Sequence, residues 1–296
     1  MNSRDFLLLC LICVVWALNV IVTRWVLAEF EAPPLWLAAI RFGLLGVVLI
    51  PFLRPIPEKL GLIFLISMGV GAAHFGCLFV GLSMAEAGAA GITSQLSAPF
   101  STILSAIFLG EKVRWRRVLG IILSFLGVAF IAVDPSGFKI SVGLFYIAMA
   151  AFIYSCANIL MKQIPSMSPF RLQAWVGVMS VLPLVAFAAV FEPGEIAYFK
   201  SAPLEVWGSL VFAVLVVSIF GHGFFYQLLK SYDVALISPL TLMTPVWTLI
   251  MGVLLLNEEL TFAMVAGSLI ALAGVAVIAI RPNLKLPRAA IGRWRV

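Results

Sequence analysis

The chain has 296 residues, of which 63% are hydrophobic and 11% charged, with a formal net charge of +6. A water-soluble domain cannot cover that much apolar surface, so the composition excludes an ordinary globular protein and makes lipid the solvent for most residues. The positive charge is no nucleic-acid footprint, because the basic residues sit at helix ends and in the tail, not along a groove interleaved with aromatics.

Ten apolar runs are predicted as membrane helices, at about 6–27, 34–53, 60–82, 91–109, 117–133, 141–161, 170–191, 204–228, 234–256 and 261–280. The first is read as a span and not as a cleavable leader, since Met1-Asn-Ser-Arg-Asp is short and no cleavage site follows. Cys10 and Cys13 form a C-x-x-C within it, and Cys77 and Cys156 also fall inside runs. On lipid-embedded helices such cysteines act mostly as small hydrophobes, which disfavours a redox or metal role. Charged or Pro/Gly clusters punctuate the runs, as at Arg54-Pro-Ile-Pro-Glu-Lys59 and Asp134-Pro-Ser-Gly137.

Gly71 to Pro135 recurs 147 residues later, without a gap, as Ser218 to Pro282. Glu111 falls on Glu258, Gly120 on Gly267, Gly127 on Gly274 and Pro135 on Pro282. Two halves with an odd number of crossings each must lie upside down relative to one another, and such inverted repeats enclose a site near the bilayer midplane in many secondary transporters. The predicted architecture is therefore all-α and membrane-embedded, with ten transmembrane helices in two inverted five-helix repeats. The repeats are 1–135 and 136–282, followed by a basic tail, 283–296.

Orientation follows from lysine and arginine. With the amino terminus inside, one side holds Arg4, Arg54, Lys59, Lys112, Arg114, Arg116, Arg117, Lys162, Arg171, Lys230 and the five basic residues from Arg281 onward. The other holds only Arg24, Lys139 and Lys200, with Arg41 inside a span. Both termini are thus expected on the cytoplasmic face. The same assignment puts Glu111 inside and Glu258 outside, which agrees with inversion.

Polar residues within spans must face a partner or a wet cavity. Trp16, Asn19 and Thr23 share one face of the first helix, and Tyr154 and Asn158 share one face of the sixth. They either line a cavity or only tie helices together. Arg41 lies about 10 Å inside its span by helical rise. It either holds a substrate carboxylate through its planar fork or serves a structural role, snorkelling outward to headgroups or to Glu29 and Glu31. His74 and His222 align one residue apart; each is a proton-exchanging group for coupling or a neutral hydrogen-bonded contact, with Tyr226 as the expected partner of His222. Gln95, Thr244 and Trp247 flank Pro99 and Pro245, whose rings free backbone carbonyls and kink the fourth and ninth helices. Phe100, equivalent to Trp247, is a second candidate cavity wall, and the glycines at 120, 127, 267 and 274 read as close-packing surfaces.

No G-x-x-x-x-G-K-[ST], H-E-x-x-H or G-x-S-x-G pattern occurs, so neither a cofactor, a metal nor catalytic chemistry is expected. Apart from Glu205 at the very start of the eighth run, the spans carry no acidic residue, which leaves histidine, the substrate or nothing for proton coupling.

With Trp16-Ala-Leu-Asn19, Arg41-Phe42, Leu109-Gly-Glu111, Pro245 and Asn257-Glu258 in place, the chain resembles the EamA-type branch of the drug/metabolite transporter superfamily over nearly its whole length. Pro33-Pro-Leu, Cys156-Ala-Asn-Ile and Pro239-Leu-Thr-Leu-Met-Thr-Pro245 look most like bacterial exporters of O-acetylserine and cysteine. One departure stands out: Ala98 occupies the position matching Pro245, and Pro99 comes one residue later. The resemblance implies an inner-membrane secondary transporter exporting small amino-acid-like metabolites, with a small-molecule substrate and the lipid bilayer as partners and a proton as the candidate coupling ion. A drug or cation exporter and an importer or exchanger share the fold; a membrane enzyme or a scaffold fits the short loops less well.

Overall fold

The computed structural model describes residues 1–111, 113–132, 141–161, 163–164, 167–232 and 234–279. Expectations for Lys112, Lys162, the 133–140 loop with Asp134, Pro135 and Lys139, and the basic tail lie outside the described residues, as does Pro282. Among those described, every regular element is helical. We number them α1 (Ser3–Glu29), α2 (Pro34–Val48), α3 (Leu60–Met84), α4 (Ala87–Leu109) and α5 (Trp115–Ala132) in the first half. The second half has α6 (Val142–Met161), α7 (Pro169–Phe191), α8 (Leu204–Ser231), α9 (Val234–Leu240 and Met243–Leu256) and α10 (Phe262–Ala279). Eight are long and apolar enough to cross a membrane; α2 and Met243–Leu256 are shorter.

Two boundaries differ from the sequence reading, each for a local reason. The run expected over 34–53 leaves the α-helix at Val48 and continues as a 3₁₀ turn, Ile50–Leu53. Pro51 has no N–H, and its ring would strike the carbonyl four residues back. The run expected from 91 starts earlier, at Ala87, because a carboxylate from another helix end satisfies its first amides.

The outer surface is apolar: Leu204 is 83% exposed, Phe262 81% and Leu182 76%. Side chains of this kind stay outside only where lipid surrounds them. Inside, two pairs of helices drawn from opposite halves run antiparallel in near-backbone contact. In the α2–α7 pair, Leu35 and Trp36 lie beside Glu192, Gly43 beside Val181, and Gly46 beside Gly177 and Val178. In the α5–α10 pair, Gly120 meets Gly274 and Ile278, and Gly127 meets Gly267 and Ala271. A Cβ on Gly127 would sit 2.4 Å from the Ala271 nitrogen, so no larger residue fits there without parting the helices. The other contacts come in matched sets: α1 packs on α8 and α9, as α6 packs on α3 and α4.

Four helices are irregular in their middles. α4 opens at Gln95–Leu96 and α9 at Thr241–Leu242. Pro99 and Pro245 each stand third in the segment that follows, with their missing N–H in its first turn, where no intrahelical acceptor is needed. The one-residue displacement of Pro99 is accommodated by moving the break one residue with it. α3 and α8 carry π-helical stretches, Met68–Ala73 and Phe212–His222. In α3 this stretch holds Gly69 against Ala157 of α6 and Gly71 against Ser180 of α7.

Replacing Gly127 with valine is expected to lower the stability of the detergent-solubilised protein by about 1–3 kcal/mol, the usual cost of overpacking. Gly208→Ala, at a position with nothing within 4 Å of a new Cβ, is expected to leave the thermal transition unchanged or raise it slightly.

Candidate functional site

Trp16 of α1, Arg41 of α2, His74 of α3, Tyr154 and Asn158 of α6, and His222 and Tyr226 of α8 form one polar cluster, each away from the ends of its helix. The Trp16 and His222 rings lie 5.3 Å apart at 45°, and the His74 and Tyr154 rings 5.1 Å apart at 40°. These are equivalent pairs in the two halves. Tyr154 has its hydroxyl beside the Asn158 side chain one turn on, and its phenol is within electrostatic reach of Tyr226. Apart from Arg41, all are half-buried inside a bundle whose outside is apolar.

The two histidines are held differently. His74 Nδ1 lies 2.9 Å from the Ala150 carbonyl of the neighbouring α6, whereas His222 Nδ1 lies 2.9 Å from the Val217 carbonyl of its own helix. A carbonyl only accepts, so Nδ1 carries the proton in both and Nε2 is left as the basic atom. The sequence reading that paired His222 with Tyr226 is corrected here. In a π-helical stretch the carbonyl five residues back is aligned with the side chain, so the Nδ1 hydrogen bond goes back to Val217 and not forward to Tyr226, whose phenol is within electrostatic reach of Tyr154.

Arg41 corrects a second expectation. It does not snorkel toward Glu29, Glu31 or a headgroup. It is 5% exposed, with its guanidinium 4.8 Å above the Phe75 ring and 5.8 Å from that of Phe79. Nearly every α2 residue from Leu35 to Phe42 is buried, so this helix offers the side chain no route to water. Arg41 is within electrostatic reach of both His74 and His222.

Asn19 is half-buried one turn from Trp16. Gln95 and Thr244 border the breaks in α4 and α9, also half-buried. Trp247 is 37% exposed. Phe100 does not wall a hollow: it stacks edge-on against Phe125 and Phe152, at 5.1 and 5.2 Å, and Phe152 is itself on the exposed surface. Cys10 and Cys13 are free and pack against α9, near Met243 and the Leu240 carbonyl.

At one end of the bundle a polar clasp joins the end of α9 to the start of α4. Glu258, just after α9, accepts hydrogen bonds from the Ala87 and Gly88 amides at the start of α4, the second at 2.9 Å. Gly88 and Gly252 make room for the carboxylate: a Cβ on Gly252 would sit 2.3 Å from its Oε2. A carboxylate on a helix N-terminus satisfies orphan amides and the helix dipole together. Arg24 donates to the Leu82 and Ser83 carbonyls at the end of α3, at 2.9 and 2.8 Å. Between them opens a vestibule of about 300 Å³ lined by Arg24, Trp25, Ala28, Glu29, Glu86 and residues 256–259. The sequence reading used Glu258 only as a mark of the repeat. Its role was signalled by Gly88-Ala-Ala-Gly91, a helix start with no capping residue. Glu192 does the same for α2, accepting from Leu35 and Trp36 at 2.9 and 3.1 Å.

Burial, and then the neighbouring Glu258, push the Glu86 carboxyl above the usual carboxylate range. A carboxyl raised on folding opposes the folded state when ionised, and the penalty disappears as acidification protonates it. Glu86→Gln is therefore expected to raise the melting temperature at pH 7. The gain over the parent should shrink as pH falls through the carboxylate range.

The model of the EamA-like transporter family matches residues 4–133 and again 141–280. A probable amino-acid metabolite efflux pump of Escherichia coli (strain K12) is 28% identical over 284 residues, covering 93% of this chain and 94% of its own. The protein of the same description from Salmonella typhimurium is 29% identical over 284 residues, with 93% and 94% covered. One solved crystal structure shares the fold, with a TM-score of 0.57 at 19% identity over 94% of this chain and 96% of that one.

Proposed function

This chain belongs to the EamA-like transporter family, and from that premise we propose that it is a secondary transporter exporting small amino-acid-like metabolites across the cytoplasmic, or inner, membrane by alternating access. That it is a multi-pass membrane transporter follows from the family and the apolar helices. The observation that carries the finer reading is the polar cluster drawn from α1, α2, α3, α6 and α8, half-buried within an apolar shell. Export of amino-acid metabolites rests on the efflux pumps it resembles.

In this reading the ten runs are ten crossings, arranged as two inverted repeats over 1–135 and 136–282, with both termini in the cytoplasm. The antiparallel α2–α7 and α5–α10 pairs support inversion. Polar clasps support the sidedness, since each joins chain segments that the charge bias places on one face. Glu258 meets Ala87, Glu192 meets Leu35 and Tyr198 meets Phe30 on the outer face; Arg171 meets Pro55 and Tyr232 meets Asp5 on the inner. Substrate binds between Trp16 and Asn19 on one side and Tyr154 and Asn158 on the other. Access alternates by bending at the breaks of α4 and α9, next to Pro99 and Pro245, while the clasp at Glu258 opens and closes the outer end. Protons are the coupling ion, taken up at the histidine Nε2 atoms, because the carboxylates of the spans, Asp5, Glu29 and Glu205, all stand at helix ends.

Two measurements test this. Cysteines at Arg114 and Leu260, which follow the equivalent helices α4 and α9 and are both exposed, are expected to react with an impermeant maleimide from opposite faces of the membrane. Labelling from one face removes the inverted arrangement. In proteoliposomes, O-acetylserine or cysteine is expected to exchange faster than in protein-free vesicles and to respond to an imposed pH gradient. Asn158→Ala should slow it about tenfold, the loss expected when a polar group in a closed site goes unpaired. Flux indifferent to the gradient would dismiss the histidine coupling alone.

A further inference from the structure

Among the described residues seven buried side-chain nitrogen or oxygen atoms have no hydrogen-bond partner, and two of them belong to the central cluster. Arg41 Nη1 and Trp16 Nε1 are both buried donors with no hydrogen-bond acceptor. Both look onto the same part of the bundle: the Trp16 ring lies 5.3 Å from that of His222, and Arg41 is within electrostatic reach of the same imidazole. Gly221, next in the chain, is what admits the indole, since a Cβ there would sit 2.9 Å from Trp16 Nε1.

The energetics of Arg41 do not balance within the protein. Withdrawing an ion from water costs several kcal/mol even after relaxation. The rings of Phe75 and Phe79 return only part of that as cation–π attraction. No carboxylate pairs with Arg41 among the described residues, and nearby His74 and His222 supply no negative charge. A packing residue would not need a charge here, because leucine or methionine would fill the same space without the penalty. What restores the balance is an anion that comes and goes.

Resting on the transporter reading above, we propose that Arg41 and Trp16 form a carboxylate subsite, which makes the transported class amino acids and related metabolites with a free carboxylate. The guanidinium Nη1 and the indole Nε1 each donate to a carboxylate oxygen, and Phe75 and Phe79 hold the guanidinium plane from behind. Tyr154 and Asn158, across the hollow, are left to take the substituent that distinguishes one substrate from another. A neutral or cationic drug would leave both donors unpaired and the charge uncompensated. That is how such a site rejects it.

The test compares each common amino acid, and O-acetyl-L-serine, with its own carboxamide, which has nearly the same shape but no charge. Binding is read as thermal stabilisation of the purified protein in detergent, and transport separately as counterflow in proteoliposomes. At least one acid is expected to bind wild-type protein roughly tenfold to a hundredfold more tightly than its amide, the range for a hydrogen bond to a charged group. Arg41→Gln should erase that preference by weakening the acid alone, and Arg41→Lys should keep part of it. Trp16→Phe, which removes one N–H and preserves the ring, should weaken the acid several-fold. If Arg41→Gln yields no monodisperse protein, the wild-type comparison and Trp16→Phe decide the matter. Equal binding of acid and amide, no acid bound at all, or an unchanged preference in Arg41→Gln or, where that variant does not fold, in Trp16→Phe overturns the subsite. Acid binding without counterflow leaves the subsite standing and defeats the carrier reading, whereas counterflow of acids and amides alike does the reverse.

Discussion

Hydrocarbon offers no partner to a polar group, and that constraint sorts every feature of this protein. Backbone amides are consumed within helices, and the amides left over at helix starts are met by carboxylates from other helices: Glu192 for α2 and Glu258 for α4. Apolar side chains occupy the outside, where Leu204 and Phe262 have nothing to avoid. Polar side chains that can be satisfied neither at the ends nor by the backbone are collected in the middle. The central cluster is the residue of this sorting, which is why its composition says something about cargo.

The two halves share a framework and differ in chemistry. Matched helix pairs, matched breaks and matched π-helical stretches give the centre an approximate two-fold relation. Yet Trp16 stands where the other half has Tyr154, His74 is tied to a neighbouring helix while His222 is tied to its own, and Arg41 has no basic partner in the cluster. A symmetric scaffold with an asymmetric lining can present the same hollow to either face while holding a solute in one orientation. On the proposed reading, the carboxylate end of the solute is held by the first half and its variable end faces the second.

Much of the scaffold was legible in the sequence, because it rests on long-period signals. The 147-residue repeat, the apolar runs and the paired Glu111 and Glu258 are preserved however side chains turn. The glycines at 120, 127, 267 and 274 were readable as packing surfaces because only their absence of volume matters. The site was readable as a set of residues and not as a geometry. Direction was lost at the π-helical stretches, where the His222 imidazole turns back to the Val217 carbonyl and not forward to Tyr226. Arg41 was misread because snorkelling depends on which face of α2 is buried, and periodicity is silent when almost all of that helix is covered. Phe100 was lost for a related reason: its aromatic partners, Phe125 and Phe152, come from two other helices.

The glycine seams also bear on how the chain is assembled. α5 and α2 leave the ribosome long before α10 and α7, the helices whose main chains fill their grooves. Until then each groove can hold only acyl chains, which lie loosely against a notched surface. Insertion of the first five helices is therefore provisional until α7 and α10 fill the two grooves. A truncation near the carboxyl end should cost more than the missing segment, since it withholds the strut against which the earliest-made half locks.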